Sequence, residues 1–250
     1  MEVSLLRYPK KSHRKIIKIP SESVDLAELM GIVFGDGGIN NDWQLVITLD
    51  SNSDLEYSYF VRKLLIRLFQ IKVAIRKRPG QNALVLVCSS TSLVDFLVAK
   101  GAVRGNKIIQ QINIPGWIND IPNYEKAFVR GLVDTDGCLF THKHIVKGEA
   151  RNDIGFCFTS CSKKLLASVA NILDKLDIKP HIADEGRRIY LYGIRNIIDY
   201  LRIFGSSNPR IIDKYKKWRG ARAAESTRLE SAQPARVRGF ESHPLRLKYN

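Results

Sequence analysis

No apolar run in this chain reaches the roughly 18 residues that a membrane-spanning helix requires, which excludes a helical membrane protein. The opening stretch MEVSLLRYPKKSHRKIIKIP is basic but has neither the apolar region nor the small-residue cleavage site of a signal peptide, so none is expected. Cysteine is scarce: Cys88, Cys138, Cys157 and Cys161 are too few and too scattered for a disulfide framework. Cys157 and Cys161 stand four apart with His142 and His144 nearby, but no CxxC pair is present. Both lie in a β-like run, where free cysteine behaves as a small hydrophobe, so zinc is not expected. Acid is also in short supply. The 25 Asp+Glu against 40 Lys+Arg leave a formal charge of +15, which favours a polyanionic partner. The basic residues are spread among apolar strands and helices rather than gathered on one amphipathic helix, so nucleic acid is favoured over a membrane surface. The expected location is the cytoplasm or nucleoid, or an organelle in a eukaryotic host.

What the chain does contain is a repeat. Its 250 residues can hold one large domain or two of about 125. The stretches GIVFGDG and GLVDTDG carry Asp36 and Asp136, one hundred positions apart. Downstream of the first, LLIRLFQIKVAIRKRPGQNALVLV reads as helix end, strand, basic turn and strand; downstream of the second, VANILDKLDIKPHIADEGRRIYLYG reads the same way. Each half therefore reads α-β-β-α-β-β-α. Helices are predicted near 25–35, 54–69 and 91–99, then 123–135, 162–176 and 194–203. Strands are predicted near 38–40, 44–49, 72–77 and 83–88, then 138–146, 153–160, 179–183 and 188–192. The chain divides into a basic segment 1–20, a first domain 21–105, a linker 106–122 broken by Pro115, Gly116 and Pro122, and a second domain 123–218. The basic tail 219–250 has no sustained periodicity and is expected to be disordered. Its RGFESHPLR stretch is what one frame of a tRNA T-arm would encode, an expectation that the surrounding genomic sequence tests.

Spacing on the two motif helices points to close packing. Ala27, Gly31 and Gly35 fall at i, i+4 and i+8, and Ala127, Gly131 and Thr135 fall at the same places in the second copy. Glycine costs about 1 kcal/mol against alanine inside a helix, so matching glycines imply a backbone contact that needs them. The simplest partner for each stripe is the other, which would bring Asp36 and Asp136 together where the helices end. Two carboxylates at helix C-termini oppose the dipole and call for a cation. Oxygen ligands with room for water suit Mg²⁺ or Mn²⁺, and the carbonyls of Gly35 and Thr135 are candidate further ligands. Such a site suits phosphodiester hydrolysis by metal-activated water. A single Gly-Asp-Gly after a helix is often only a cap and turn; two copies with the same stripe and the same following pattern favour a site.

These motifs resemble those of the LAGLIDADG homing endonucleases, specifically the single-chain members with two motifs. LMGIVFGDG matches at Leu29, Gly31, Asp36 and Gly37, and VRGLVDTDG at Gly131, Leu132, Asp134, Asp136 and Gly137, within a pattern covering about residues 20–218. The resemblance implies an α+β fold of two pseudo-symmetric αββαββα domains, each with a saddle-shaped antiparallel sheet, packed through the two motif helices. It implies that Asp36 and Asp136 bind divalent metal and each direct hydrolysis of one strand of a double-stranded DNA target. Mg²⁺ or Mn²⁺ would be the cofactor, and Ca²⁺ could bind without supporting cleavage. The sheets would lie in the major groove, on a monomer with pseudo-two-fold symmetry. Candidate DNA-facing residues are Asn40, Gln44, Arg76, Lys77, Arg78 and Gln81 in the first half. In the second half they are Lys143, Lys147, Arg151, Asn152, Arg187 and Arg188.

One departure from the family stands out. Members often carry a polar residue near the end of the strand after the first motif; here that place falls on Leu49, with Asp50 next, and on Ser160 in the second half. Lys77, Lys143 and Arg188 are the candidates for basic residues beside the acids. The leading expectation is an intron-encoded, site-specific double-strand DNA endonuclease. The alternatives are an RNA-binding intron maturase, with intron RNA as partner, and a DNA-binding protein that has lost cleavage. Intact acids favour the first over the last.

Overall fold

The structure is a computed structural model that describes residues 6–7, 15–146 and 148–232. Helix α1 (Val24–Gly35) starts where the Ser23 hydroxyl accepts from the Leu26 N–H at 3.3 Å. Every residue from Leu26 to Phe34 is buried, so α1 is a central helix rather than an amphipathic surface one. Helix α5 (Pro122–Asp136) starts on a proline in its first turn, where a missing N–H costs nothing. The two helices pack along the small-residue stripes. A Cβ on Gly31 would lie 2.8 Å from the Leu132 nitrogen, and one on Gly131 would lie 3.1 Å from the Ile32 nitrogen. Phe34 closes one side of this contact edge-on to Phe128, with ring centroids 5.3 Å apart.

Each motif helix feeds a four-stranded antiparallel sheet. The first contains β1 (Gly37–Asn41), β2 (Gln44–Asp50), β3 (Ala74–Lys77) and β4 (Ala83–Ser89) in the order β1-β2-β4-β3. The second contains β5 (Gly137–Val146), β6 (Glu149–Thr159), β7 (His181–Ala183) and β8 (Arg188–Tyr192) in the matching order β5-β6-β8-β7. Alternation sets the faces. In β2, Leu45, Ile47 and Leu49 point into the core, while Gln44, Val46, Thr48 and Asp50 face the other side. Helices α2 (Leu55–Phe69) and α3 (Thr91–Ala99) cover the buried face of the first sheet. Helices α6 (Lys163–Lys175) and α7 (Ile194–Ile203) cover that of the second. Between the halves lies the short helix α4 (Lys107–Gln110). The expected α+β architecture of two αββαββα halves is thus what the chain adopts.

One element departs from expectation. Helix α8 runs from Pro209 to Ala232, so disorder from residue 219 onward does not hold over 219–232. Ala, Arg and Glu dominate this stretch and favour helix by propensity alone, without the apolar stripe that marks a packed helix. The described residues up to Lys214 belong to a compact body, and those from Tyr215 to Ala232 form a separate unit. Within that unit Arg219 lies over the Tyr215 ring at 6.0 Å and Arg222 over the Trp218 ring at 5.3 Å. The rest of the predicted tail, including RGFESHPLR, lies outside the described residues. Among the described residues no helix is long and apolar enough to cross a membrane.

Candidate active site

Asp36 caps the end of α1, its N–H donating to the Ile32 carbonyl, and Asp136 is the last residue of α5. A Cβ on Gly35 would overlap the Thr135 side chain and come 3.3 Å from Asp136 Oδ2, so the two helix ends meet. Thr135 turns its hydroxyl back onto its own helix, donating to Leu132 O at 2.7 Å. A cleft of about 220 Å³ opens here, lined in part by Gly35, Lys107, Asp136 and Ser160. Burial pushes the Asp136 carboxyl up to about 7, with the Asp36 charge adding to the rise. Burial likewise pushes Asp36 up to about 6, with Asp54 adding and Lys107 and Arg210 opposing. Burial thus disfavours the ionised pair, and positive charge beside it opposes that effect.

Part of that charge comes from Lys107, which no sequence motif singled out. Its ammonium donates to the Gly35 carbonyl, to Phe34 O at 2.9 Å and to Val33 O at 3.3 Å, and so caps the end of α1. Asn106 aims it there. The Asn106 side chain starts α4 by accepting from Ile108 N at 2.8 Å, which points the first residue of that helix back toward α1. Burial pushes the Lys107 ammonium down, while Asp136 and Asp36 hold it up. Lys107→Met leaves three carbonyls without this donor, at about 1–3 kcal/mol for buried polar groups stripped of a partner. The expected result is a melting temperature lower by about 3–10 °C, measured by differential scanning calorimetry.

Residues 123–215 match the family model of a LAGLIDADG-like domain. Residues 123–215 are a LAGLIDADG-like domain. Among solved structures, the chain is similar to the I-SmaMI LAGLIDADG homing endonuclease bound to cleaved DNA, at 12% identity and a TM-score of 0.54, over 86% of this chain and 93% of that one. It is also similar to I-DmoI in complex with DNA and Mn, at 19% identity and a TM-score of 0.48, over 74% and 97% of the two chains. Full-length DUF199/WhiA from Thermatoga maritima is 16% identical with a TM-score of 0.49, over 86% of this chain and 70% of that one. No curated protein matches the chain in sequence. At these identities the likeness to I-SmaMI establishes the fold.

In the LAGLIDADG-like domain, Asp134 is engaged away from the cleft. It is 1% exposed, and its carboxylate accepts from Ser206 Oγ at 2.5 Å and from the Ser207 N–H at 2.6 Å. Burial pushes it up to about 7 against the pull of those two bonds. The same loop reaches the first half: Ser207 Oγ donates to Glu28 Oε1 at 2.5 Å, and Asn208 Nδ2 donates to Asp54 Oδ1 at 2.8 Å. Arg210 donates to Asp54 Oδ1 at 3.0 Å, to Asp134 O at 3.2 Å and to Gly137 O at 3.3 Å. Nothing in the local sequence of Asp54 or Arg210 marked them, because the partners lie 156 positions apart.

Leu49 does not stand beside the acids. It is 3% exposed in the core, because its place in the alternation of β2 faces inward. The strand meets the motif through its neighbour instead, the Thr48 N–H donating to Asp36 O at 3.2 Å. Ser160 lines the cleft. Of the other predicted residues, Gln44 and Arg76 share the open face of the first sheet, and Asn40 is exposed at the end of β1. Lys77, Arg78 and Gln81 gather at the β3–β4 hairpin around Gly80. In the LAGLIDADG-like domain Arg188 belongs to the open face, and Arg187 is exposed beside it. Lys143 and Asn152 pair with each other on the opposite parity, beyond the core. Lys147 and the side chain of Arg151 lie outside the described residues.

Proposed function

We propose that the chain is a metal-dependent double-strand DNA endonuclease of the homing type, encoded within an intron. The observation that carries this is the meeting of Asp36 and Asp136 at the ends of two packed motif helices, with Lys107 beside them. Among the described residues no group of three or more His, Cys, Asp or Glu could hold a metal ion. The proposed site therefore rests on these two carboxylates with the Thr135 carbonyl as a further oxygen, while the Gly35 carbonyl, also named above as a ligand, instead accepts from Lys107. That donor set fits Mg²⁺ or Mn²⁺, which keep several waters and bind through one or two carboxylates together with substrate phosphate. Bound metal would supply charge neutralisation at the phosphate and an activated water. The residues of the chain do the rest. Asp36 and Asp136 would hold the ion, Lys107 keeps a positive charge beside them at the end of α1, and Arg210 fixes the carbonyls of Asp134 and Gly137 around the second acid. Arg78, Lys77 and Arg76 meet the DNA backbone, which positions the duplex without reading it. A fold shared with an endonuclease crystallised on cleaved DNA supports the reading.

The test is digestion of DNA carrying the intronless insertion site, with Mg²⁺ or with chelator. A metal-dependent cut in both strands is expected, and its absence at every such site would refute the proposal.

The raised acids carry a pH signature. A carboxyl whose folded pKa lies above its ordinary value near 4 binds more protons folded than unfolded, so metal-free stability falls as pH rises from about 4 to about 7. Mg²⁺ binds the ionised pair, and is therefore expected to raise the melting temperature clearly at pH 8 and little at pH 5. Equal shifts at the two pH values would argue against these acids as the metal ligands.

A further inference from the structure

The two open sheet faces differ in chemistry. Open-face positions of the first sheet carry Gln44, Val46, Thr48, Arg76, Val85 and Val87, none of them aromatic. The corresponding face of the LAGLIDADG-like domain carries a connected set of rings. Tyr190 stacks on Tyr192 with centroids 5.5 Å apart and planes 11° from parallel. Phe140 meets Tyr190 edge-on at 6.0 Å, and His142 and His181 approach Tyr192 at 6.3 and 5.9 Å. The strand between them is cut back to make room: opposite Phe140 stands Gly155, where a Cβ would come within 2.8 Å of the Phe140 ring. These rings are not core. Tyr192 is 45% exposed, His181 is exposed, and Tyr190, Phe140 and His142 are half-buried.

A contiguous exposed aromatic surface on a soluble domain marks a binding site. Its rim is basic. Arg188 is oriented by Asp184 at 3.0 Å and by the Tyr190 hydroxyl at 3.4 Å, with exposed Arg187 next to it. Among the described side chains, Asp153, across from His142, and Asp184 bring acid to this face. Bases in a duplex are already stacked on their neighbours and are read at their edges by hydrogen-bonding side chains. Rings on an open antiparallel sheet with flanking arginines suit a different ligand, bases whose faces are free.

We propose that the open face of the second sheet binds unpaired bases of single-stranded nucleic acid, which stack on Tyr190, Tyr192 and Phe140 while Arg187 and Arg188 take the phosphates. This goes beyond cleavage and does not depend on it, since Asp36 and Asp136 stand at the ends of the motif helices and not among the rings of this sheet. Single strands and duplex DNA compete for the sheet.

The test is fluorescence anisotropy of the full chain in chelator, with labelled single strands of about 12 nucleotides in RNA and DNA form and the matching DNA duplex. The double variant Tyr190→Ala/Tyr192→Ala is expected to weaken single-strand binding by about tenfold or more. Tyr190→Phe/Tyr192→Phe, which keeps both rings, is expected to bind like the parent, and duplex binding is expected to fall much less. The RNA and DNA arms show which backbone is preferred, and tight binding of either upholds the proposal. Asp36→Asn/Asp136→Asn is expected to leave single-strand binding intact, so failure of the nuclease reading would remain distinguishable. Photocrosslinking of a 4-thiouracil-containing strand to Tyr190 or Tyr192 of the unaltered chain covers a double variant that fails to fold. Absence of single-strand binding, equal loss in the phenylalanine variant, or loss confined to duplex would overturn the proposal. The last would assign the rings to thymine methyl groups in the major groove.

Discussion

Asp136→Asn is expected to abolish double-strand cleavage, lowering kcat by about 10³-fold or more. Metal at such a site supplies several kcal/mol of transition-state stabilisation, and each 1.36 kcal/mol is a factor of ten in rate. The amide keeps the shape of the side chain but loses the charge that would hold the ion. The substitution has a second, opposite effect. In the metal-free chain the Asp136 carboxyl is pushed up to about 7, so its ionised form is disfavoured by the fold at neutral pH and above. An uncharged side chain escapes that penalty. Without metal at pH 8 the variant should therefore melt above its parent, and with Mg²⁺ the order should reverse. Specific DNA binding should survive, because the basic residues of the sheets and hairpin are untouched. A variant that still cuts both strands would contradict the role given to this acid.

Replacing both stripe glycines is the second large effect. A Cβ on Gly131 would overlap the Glu28 carbonyl and lie 3.1 Å from the Ile32 nitrogen; one on Gly31 would overlap the Phe128 carbonyl and lie 2.8 Å from the Leu132 nitrogen. These are backbone atoms, with no flexible side-chain end to move aside. Alanine returns about 1 kcal/mol of helix propensity at each site, but overpacking costs about 1–3 kcal/mol or more, and here the two helices must separate to relieve it. Gly31→Ala/Gly131→Ala is expected to lower the melting temperature by about 10 °C, measured by circular dichroism, and to reduce cleavage by drawing the acids apart. Gly116→Ala is the control: a Cβ there meets nothing within 4 Å, and its melting temperature should match the parent's. An unchanged melting temperature in the double variant would contradict the backbone contact between α1 and α5.

Much of this architecture is legible in the residues. Strands such as QLVITLD alternate because one face is buried, and the motif helices declare themselves by glycines spaced to share a side. The repeat mattered more than either motif alone, since it separated the acid both copies keep from Asp134, whose counterpart Phe34 packs against Phe128. What stayed hidden depends on distant partners. Lys107 sits in an unremarkable connecting segment and reaches the site only because α4 turns it onto the end of α1, some 70 residues upstream. Leu49 fills the strand position where the family often carries a polar residue, yet its parity in β2 turns it into the core, because a shift of one residue along a strand reverses the face. The aromatic face is spread over β5, β7 and β8, and only sheet register brings Phe140, His181 and Tyr192 together.

If Asp36 and Asp136 form one metal-dependent centre for cutting duplex DNA, cleavage requires both the acids and the metal. The most direct measurement is incubation of a random-sequence duplex library with the parent chain and with Asp36→Asn/Asp136→Asn, each in Mg²⁺ and in chelator, followed by sequencing of the new ends. One enriched cut sequence, broken in both strands, is expected from the parent in Mg²⁺ alone. Cuts of equal yield from the double variant, or from the parent in chelator, would contradict it.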